Sequence, residues 1–245
     1  MNTQMLTPEL LVGLGTIAGR RKATGDGLRN RTTQDRGDAQ NVANDIGGLL
    51  GEWAVITALE TEGRVKHDFF DCSRPVKAAD AVFFPKSSPS SVRRLDAKAL
   101  IAEQRRRWFL LDIATADDPM GKGIDLFVPV LCHPNSAAVV IGAPIRPVDV
   151  RKWQKVDLQQ KGNFAYGLPV TDLLWNYFQK STLLDLTATF EAAPLDWTPM
   201  QDAAATWGAA LTPYEVSAIA GEPETLAQGL RAIGEWLGVR KGEVA

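Results

Sequence analysis

The stretch "DAVFFPKSSPSSVRRLDAKAL", residues 80–100, contains two segments that each have the pattern of a β-strand. In the second segment, apolar Leu95 and Ala97 alternate with Asp96 and Lys98, and such alternation predicts a half-buried strand. Side chains two residues apart on a strand point to the same face. Asp96 and Lys98 are therefore predicted to be neighbours, either as an ion pair of little energetic weight or as part of an active site.

Further strands and helices are predicted on both sides of this stretch. The Pro- and Ser-rich segment 85–91 is typical of a loop that joins an antiparallel pair. Apolar steps of three and four residues predict a long helix over 38–62, and Pro8 and Glu9 mark an earlier helix start. The other predicted strands are 64–70, 108–114, 124–131 and 137–144, and a short helix is expected at 146–154.

The predicted fold class is α/β (α+β), with a mixed central sheet flanked by helices and a helical C-terminal extension. We divide the 245 residues into an N-terminal helix and polar arm (1–37), a core (38–175) and a helical accessory region (176–245). Residues 21–37 are polar and lack periodicity, which predicts an arm or loop rather than a helix.

Composition excludes several classes of protein. The net charge is −2, so the whole chain is not a basic nucleic-acid binder, and its apolar runs are too short for a membrane helix. Cys72 and Cys132 lie far apart and the N-terminus lacks a signal-peptide pattern, which favours free thiols in the cytoplasm. The glycines of "GLGTIAG", residues 13–19, have the wrong spacing for a dinucleotide site, so no organic cofactor is expected.

Acidic residues near the predicted strands suggest a metal site. Asp80 begins one strand, Asp96 lies on the next, and Glu52 falls at the margin of the apolar stripe of the 38–62 helix. Carboxylate and carbonyl oxygens are the ligands of hard divalent cations, and the Ala97 carbonyl adds a third oxygen. A half-buried Glu52 needs a metal or a cation as its partner, since burying an unpaired carboxylate is unfavourable.

The order of these segments, with "GGLLGEWAV" on the helix, "ADAVFFP" on one strand and "RRLDAKAL" on the next, resembles the PD-(D/E)XK nuclease superfamily. Asp80 matches the first-motif aspartate of that family, and residues 96–98 match its (D/E)xK element. Glu52 matches the acidic residue that many members carry on the preceding helix. Ala79 stands where the family name has proline. The likeness covers residues 38–131, and more weakly extends to about 175.

The resemblance implies a restriction-endonuclease-like fold and a DNA endonuclease that uses Mg²⁺, with Mn²⁺ as a substitute. Asp80, Asp96, Glu52 and the Ala97 carbonyl would hold the ion, and Lys98 would position the attacking water. A homodimer would supply the two sites that cleavage of both strands requires. Basic side chains beside the site are candidates for DNA phosphate contacts. They are Arg94, Arg105, Arg106 and Arg107.

Two alternatives remain open. The first is a nucleic-acid-binding or assembly protein that keeps the nuclease fold without catalysis. The second is an unrelated α/β protein in which Asp96 and Lys98 are a surface ion pair and Arg105–Arg107 belong to a solvated loop.

Overall fold

The computed structural model describes residues 2–28, 38–73, 79–102, 107–112, 117, 123–157, 164–178 and 183–243. Six strands form the central sheet, in the order β1-β7-β6-β4-β3-β2. These strands are β1 (Asn2–Met5), β2 (Gly63–Lys66), β3 (Ala81–Pro85), β4 (Arg93–Ile101), β6 (Leu126–Cys132) and β7 (Ala138–Ile141). Only the β4–β6 pairing is parallel, so the sheet is mixed.

A second, antiparallel sheet has the order β5-β9-β8. Its strands are β5 (Trp108–Asp112), β8 (Gln154–Asp157) and β9 (Phe164–Pro169). The predicted strand at 108–114 is thus real but lies outside the central sheet. Three strands were not predicted at all, because β1, β8 and β9 lack a clear alternating pattern in the sequence.

Eight helices are described. They are α1 (Pro8–Leu28), α2 (Asp38–Glu60), α3 (Pro147–Val150), α4 (Val170–Tyr177), α5 (Leu183–Glu191), α6 (Thr198–Trp207), α7 (Pro213–Ala220) and α8 (Leu226–Glu243). The fold is therefore α/β, with a mixed central sheet flanked by helices and a helical C-terminal region, as the sequence predicts. Within the described residues, no helix is long and apolar enough to cross a membrane.

Helix α2 packs on one face of the central sheet. Its buried side chains Ile46, Leu49, Trp53 and Ile56 recur in steps of three and four and join the main core. Strand β4 is an interior strand, which confirms the predicted central position of the DxK segment. The core has a second cluster on the other face of the sheet, around Phe127, Leu173 and Phe178. Cys72 and Cys132 are both buried, and no disulfide joins them.

Helix α1 is longer than the sequence predicts, since it continues to Leu28 through residues assigned to a polar arm. Tertiary contacts explain the extension. Arg20 donates to the Leu211 carbonyl at 3.0 Å, and the Thr24 hydroxyl donates to the Cys72 carbonyl at 2.8 Å. These bonds hold a segment whose own apolar periodicity is weak. Residues 29–37, also assigned to the arm, lie outside the described residues.

Close backbone packing explains the glycines of "GLGTIAG". A Cβ atom on Gly13 would lie 2.4 Å from the Leu230 carbonyl oxygen of α8, and one on Gly15 would lie 2.0 Å from the Met200 oxygen of α6. A Cβ atom on Gly19 would lie 2.2 Å from the Ala204 carbonyl oxygen of α6. Such distances admit no side chain, so these glycines allow α1 to pack directly against the C-terminal helices.

Candidate active site

The side chains of Asp96 and Lys98 meet on one face of β4, as their spacing predicts. The Nζ atom of Lys98 lies 2.8 Å from Oδ2 of Asp96, and the two side chains are 38% and 10% exposed. Oδ2 is buried, and its contact with Nζ is an ion pair without good hydrogen-bond alignment. An acceptor of this kind can take a further cation or donor.

Asp80 immediately precedes β3 and lies beside β4. Its amide donates to the Leu95 carbonyl at 2.9 Å, and its Oδ2 accepts a 2.7 Å hydrogen bond from the Ala97 amide. The pairing of β3 with β4 begins at Ala81 and Leu95, so the Asp80 carboxylate takes the place of a backbone partner for Ala97. The carbonyl of a strand residue points to the same side as its amide. The Ala97 carbonyl therefore faces the Asp80 side of β4.

Glu52 reaches this region because α2 lies close to β4. A Cβ atom on Gly51 would lie 3.2 Å from the Ala99 Cβ and 3.8 Å from the Ala97 Cβ. Gly51 thus permits a short distance between helix and strand. The neighbouring Glu52 side chain is 16% exposed, which confirms its predicted half-buried position.

The partner of Glu52 is Arg21 of α1, a residue that the sequence analysis assigned to the polar arm. One terminal nitrogen of Arg21 donates to both Glu52 oxygens, at 2.8 and 2.7 Å, and the other donates to the Phe69 carbonyl at 2.7 Å. The guanidinium carbon also lies 5.1 Å from the centroid of the Phe69 ring. Arg21 follows buried Ile17 by four residues, and this helical spacing is the signal that could have placed it on the same helix face.

The charges of the cluster influence one another. Burial raises the pKa of Asp80 well above its ordinary value, and the negative charges of Glu52 and Asp96 raise it further, although Lys98 and the Ala97 amide act in the opposite direction. Burial alone would lower the pKa of Lys98, but the carboxylates of Asp96, Asp80 and Glu52 outweigh it and the pKa rises. Lys98 is therefore a protonated hydrogen-bond donor near neutral pH, rather than a base.

The fit of these residues to a divalent cation can be judged from their oxygen atoms. Among the described residues, no three His, Cys, Asp or Glu side chains are arranged to hold a metal ion. Mg²⁺ commonly uses only one or two carboxylates, together with water and substrate phosphate. Asp80, Asp96 and the Ala97 carbonyl fit that smaller set, and the buried Asp96 Oδ2 lacks an aligned donor. Glu52 is not part of that set, because both of its oxygens accept from Arg21.

The four arginines predicted to contact DNA are only partly placed. Arg94 is exposed and lies two residues before Asp96 on the same strand face, while its backbone amide donates to Asp125 at 2.7 Å. Arg107 is exposed just before β5, in the second sheet, and none of the described hydrogen bonds or ion pairs links it to the cluster. Arg105 and Arg106 lie outside the described residues.

Comparison of the chain with protein-family models, with curated proteins and with solved structures finds no match.

Proposed function

We propose that this chain is a divalent-metal-dependent DNA endonuclease with a restriction-endonuclease-like core. One observation carries the proposal. Asp80 accepts a hydrogen bond from Ala97 of β4, and Asp96 and Lys98, the residues on either side of Ala97, form an ion pair. The position of α2 on the sheet next to β4 supports the proposed core, because the family resemblance implies the same arrangement.

The excess of negative charge gives the site its affinity for a cation. Asp80, Asp96 and Glu52 are offset by Lys98 and Arg21, and the pKa of Asp80 is raised first by burial and then by the carboxylates of Glu52 and Asp96. Asp80, Asp96 and the Ala97 carbonyl would hold Mg²⁺ or Mn²⁺. When bound, that ion would supply Lewis-acid stabilisation of the phosphoryl group and a lower pKa for the attacking water.

Lys98 supplies the donor that the reaction needs. Its ammonium group lies beside Asp96 and stays protonated, so it can orient the attacking water or donate to a non-bridging phosphate oxygen. The water oxygen releases a proton to solvent and bonds to phosphorus as the bond to the leaving oxygen breaks, and the leaving oxygen takes up a proton from solvent, so the protons balance. Asp96 holds the ammonium group in place during this step.

Cleavage of supercoiled plasmid with Mg²⁺ or Mn²⁺ tests the proposal. We expect divalent-dependent cleavage that is lost in Lys98→Ala and in Asp80→Ala. The two residues of another ion pair, changed in Lys152→Ala and Asp149→Ala, provide matched controls that keep activity. Thermal unfolding of each variant verifies its fold. Undiminished cleavage by Lys98→Ala would contradict the assignment of Lys98.

A second candidate function is nucleic-acid binding without catalysis. The pairing of both Glu52 oxygens with Arg21 favours it, because the pair holds Glu52 away from a role as a metal ligand. DNA binding by the wild type without cleavage in either metal would support this candidate against the nuclease.

A further inference from the structure

One face of the central sheet carries three cations in adjacent positions. In the register of the sheet, Arg64 pairs with Phe84, Lys66 pairs with Val82, and Val82 pairs with Arg94. Directly paired residues point to the same face of a sheet. Arg64, Lys66, Phe84 and Arg94 therefore form one surface, which we call the cationic face.

The cationic face is the solvent side of this part of the sheet. Residues that alternate with its members, Val65, Phe83 and Leu95, point the other way and pack in the core with α2. The side chains of Arg64, Lys66 and Arg94 are all exposed. A ligand can therefore reach the three cations without any rearrangement of the core.

Phe84 orders two of the cations without neutralising them. The Arg64 guanidinium carbon lies 4.5 Å from the centroid of the Phe84 ring, and Lys66 Nζ lies 5.8 Å from it. A cation over the face of an aromatic ring is attracted to it and so held in place. Among the described ion pairs none involves Arg64, Lys66 or Arg94, and the Asp125 carboxylate contacts the backbone amide of Arg94 rather than its side chain.

The cationic face continues into the candidate active site. Arg94 precedes Asp96 by two residues on the same face of β4, and Lys98 follows at the next position. Strand β2 lies two strands away from β4, a distance of roughly 10 Å at the usual strand spacing. The three cations thus extend sideways from Asp96 and Lys98 over the width of three strands.

We propose that the cationic face binds the DNA backbone beside the bond to be cleaved, with Arg64, Lys66 and Arg94 each contacting a phosphate. The charge of the face is complementary to a polyanion, and its continuity with Asp96 and Lys98 places that polyanion at the site. This inference rests on the proposed nuclease function for the identity of the site. It adds Arg64 and Lys66, two residues that no motif in the sequence singles out.

The salt dependence of DNA binding tests the inference without cleavage. Fluorescence anisotropy of a short labelled duplex is measured in EDTA, between about 50 and 200 mM salt. The test variant is Arg64→Gln/Lys66→Gln, and the matched control Arg151→Gln/Arg231→Gln removes two exposed cations elsewhere. We expect the slope of log affinity against log salt to become shallower by about 1.8 in the test variant only, at about 0.9 per phosphate contact.

Two further measurements complete the experiment. One uses a variant that keeps both positive charges, and the other compares the binding of an RNA duplex with that of DNA. Arg64→Lys/Lys66→Arg keeps both cations, so its slope should stay close to that of the wild type. Equal slopes in the test variant and the wild type, or no DNA binding by the wild type, would overturn the inference. Tighter binding of an RNA duplex than of DNA would overturn the choice of DNA.

The two proposals fail in different ways. If the wild type cleaves plasmid but the test variant keeps the salt slope of the wild type, the proposed role of the cationic face is wrong and the proposed nuclease function is supported. If the wild type does not cleave but the salt slope of the test variant is shallower, DNA binding by the cationic face is supported and the proposed nuclease function is wrong.

Discussion

Arg21 and Glu52 form a two-point ion pair that joins the first two helices, with one guanidinium nitrogen 2.8 and 2.7 Å from the two carboxylate oxygens. The side chains are only 18% and 16% exposed, so water screens the pair weakly. The carboxylates around Arg21, Glu52 foremost, hold the pKa of the guanidinium above its ordinary value although burial opposes them. The pair belongs to the partly buried class, in which loss of one member leaves an unpaired charge.

Arg21→Met is expected to lower the free energy of unfolding by about 3 kcal/mol, because it leaves Glu52 without its cation. Glu52→Gln alone is also expected to lower the free energy of unfolding. The double variant should lower it by less than the sum of the decreases in the two single variants. Urea unfolding of the four proteins gives the coupling free energy, which we expect to be about 1–3 kcal/mol. Additive losses would show that the pair contributes little.

The stability of the metal-free protein should depend on pH through Asp80. The pKa of Asp80 in the fold lies above its ordinary value of 3.8, so the folded chain keeps a proton that the unfolded chain loses. The free energy of unfolding therefore falls as pH rises from 3.8 to the folded pKa, by at most about 1.4 kcal/mol per pH unit, and is level above it.

Asp80→Asn removes this titration and keeps an oxygen that can accept from the Ala97 amide. In EDTA, the variant should therefore gain stability relative to the wild type as pH rises above 3.8. The quantity compared is the unfolding free energy of the variant minus that of the wild type. Denaturant titrations at several pH values measure it. A difference that stays constant with pH would rule out a raised pKa for Asp80.

Binding of Mn²⁺ in the absence of DNA should require Asp96. We expect Asp96→Asn to weaken the affinity by at least about tenfold, because it removes a charged oxygen ligand. Isothermal titration calorimetry measures the affinity directly. Asp149→Asn serves as the control, since Asp149 is held by Arg146 and Lys152 on an exposed helix. Equal affinities for the two variants would remove Asp96 from the metal site.

Gly15 and Gly48 are both helical glycines, but they should respond in opposite ways to substitution by alanine. A Cβ at Gly15 would collide with the Met200 backbone, whereas a Cβ at Gly48 would meet nothing within 4 Å. Gly15→Ala is expected to destabilise the fold by about 1–3 kcal/mol through overpacking, and Gly48→Ala to stabilise it by about 0.5–1 kcal/mol. Thermal unfolding compares them, and a tolerated Gly15→Ala would contradict the close packing of α1 against α6.

Local patterns were sufficient to predict the elements that carry the candidate site. The alternation around Asp96 predicted β4, and apolar steps of three and four residues predicted α2, because each element buries one face against the sheet. The pairing of β3 with β4 followed from the loop between them. These features depend on neighbours in the sequence, which is why they were recognisable.

The features that could not be predicted depend on distant parts of the chain. The last turns of α1 are polar, and they are held by Leu211, Phe69 and Cys72. Arg21 was therefore assigned to an arm. The strand predicted over 64–70 ends at Lys66, because Phe69 and Phe70 enter the core from irregular backbone instead of alternating across the sheet.

The glycine contacts of α1 have a consequence for the order in which the protein folds. Arg20 meets the Leu211 carbonyl 191 residues further along the chain. At about 5–20 residues per second, α1 is synthesised roughly 10 to 40 s before its packing partners, and contacts of such separation form late. Through that interval α1 has α2 as a neighbour but neither α6 nor α8 to pack against. The packing that holds the end of α1, and Arg21 with it, is thus completed only after α6 and α8 have been synthesised, so the surroundings of Glu52 reach their final form late in folding.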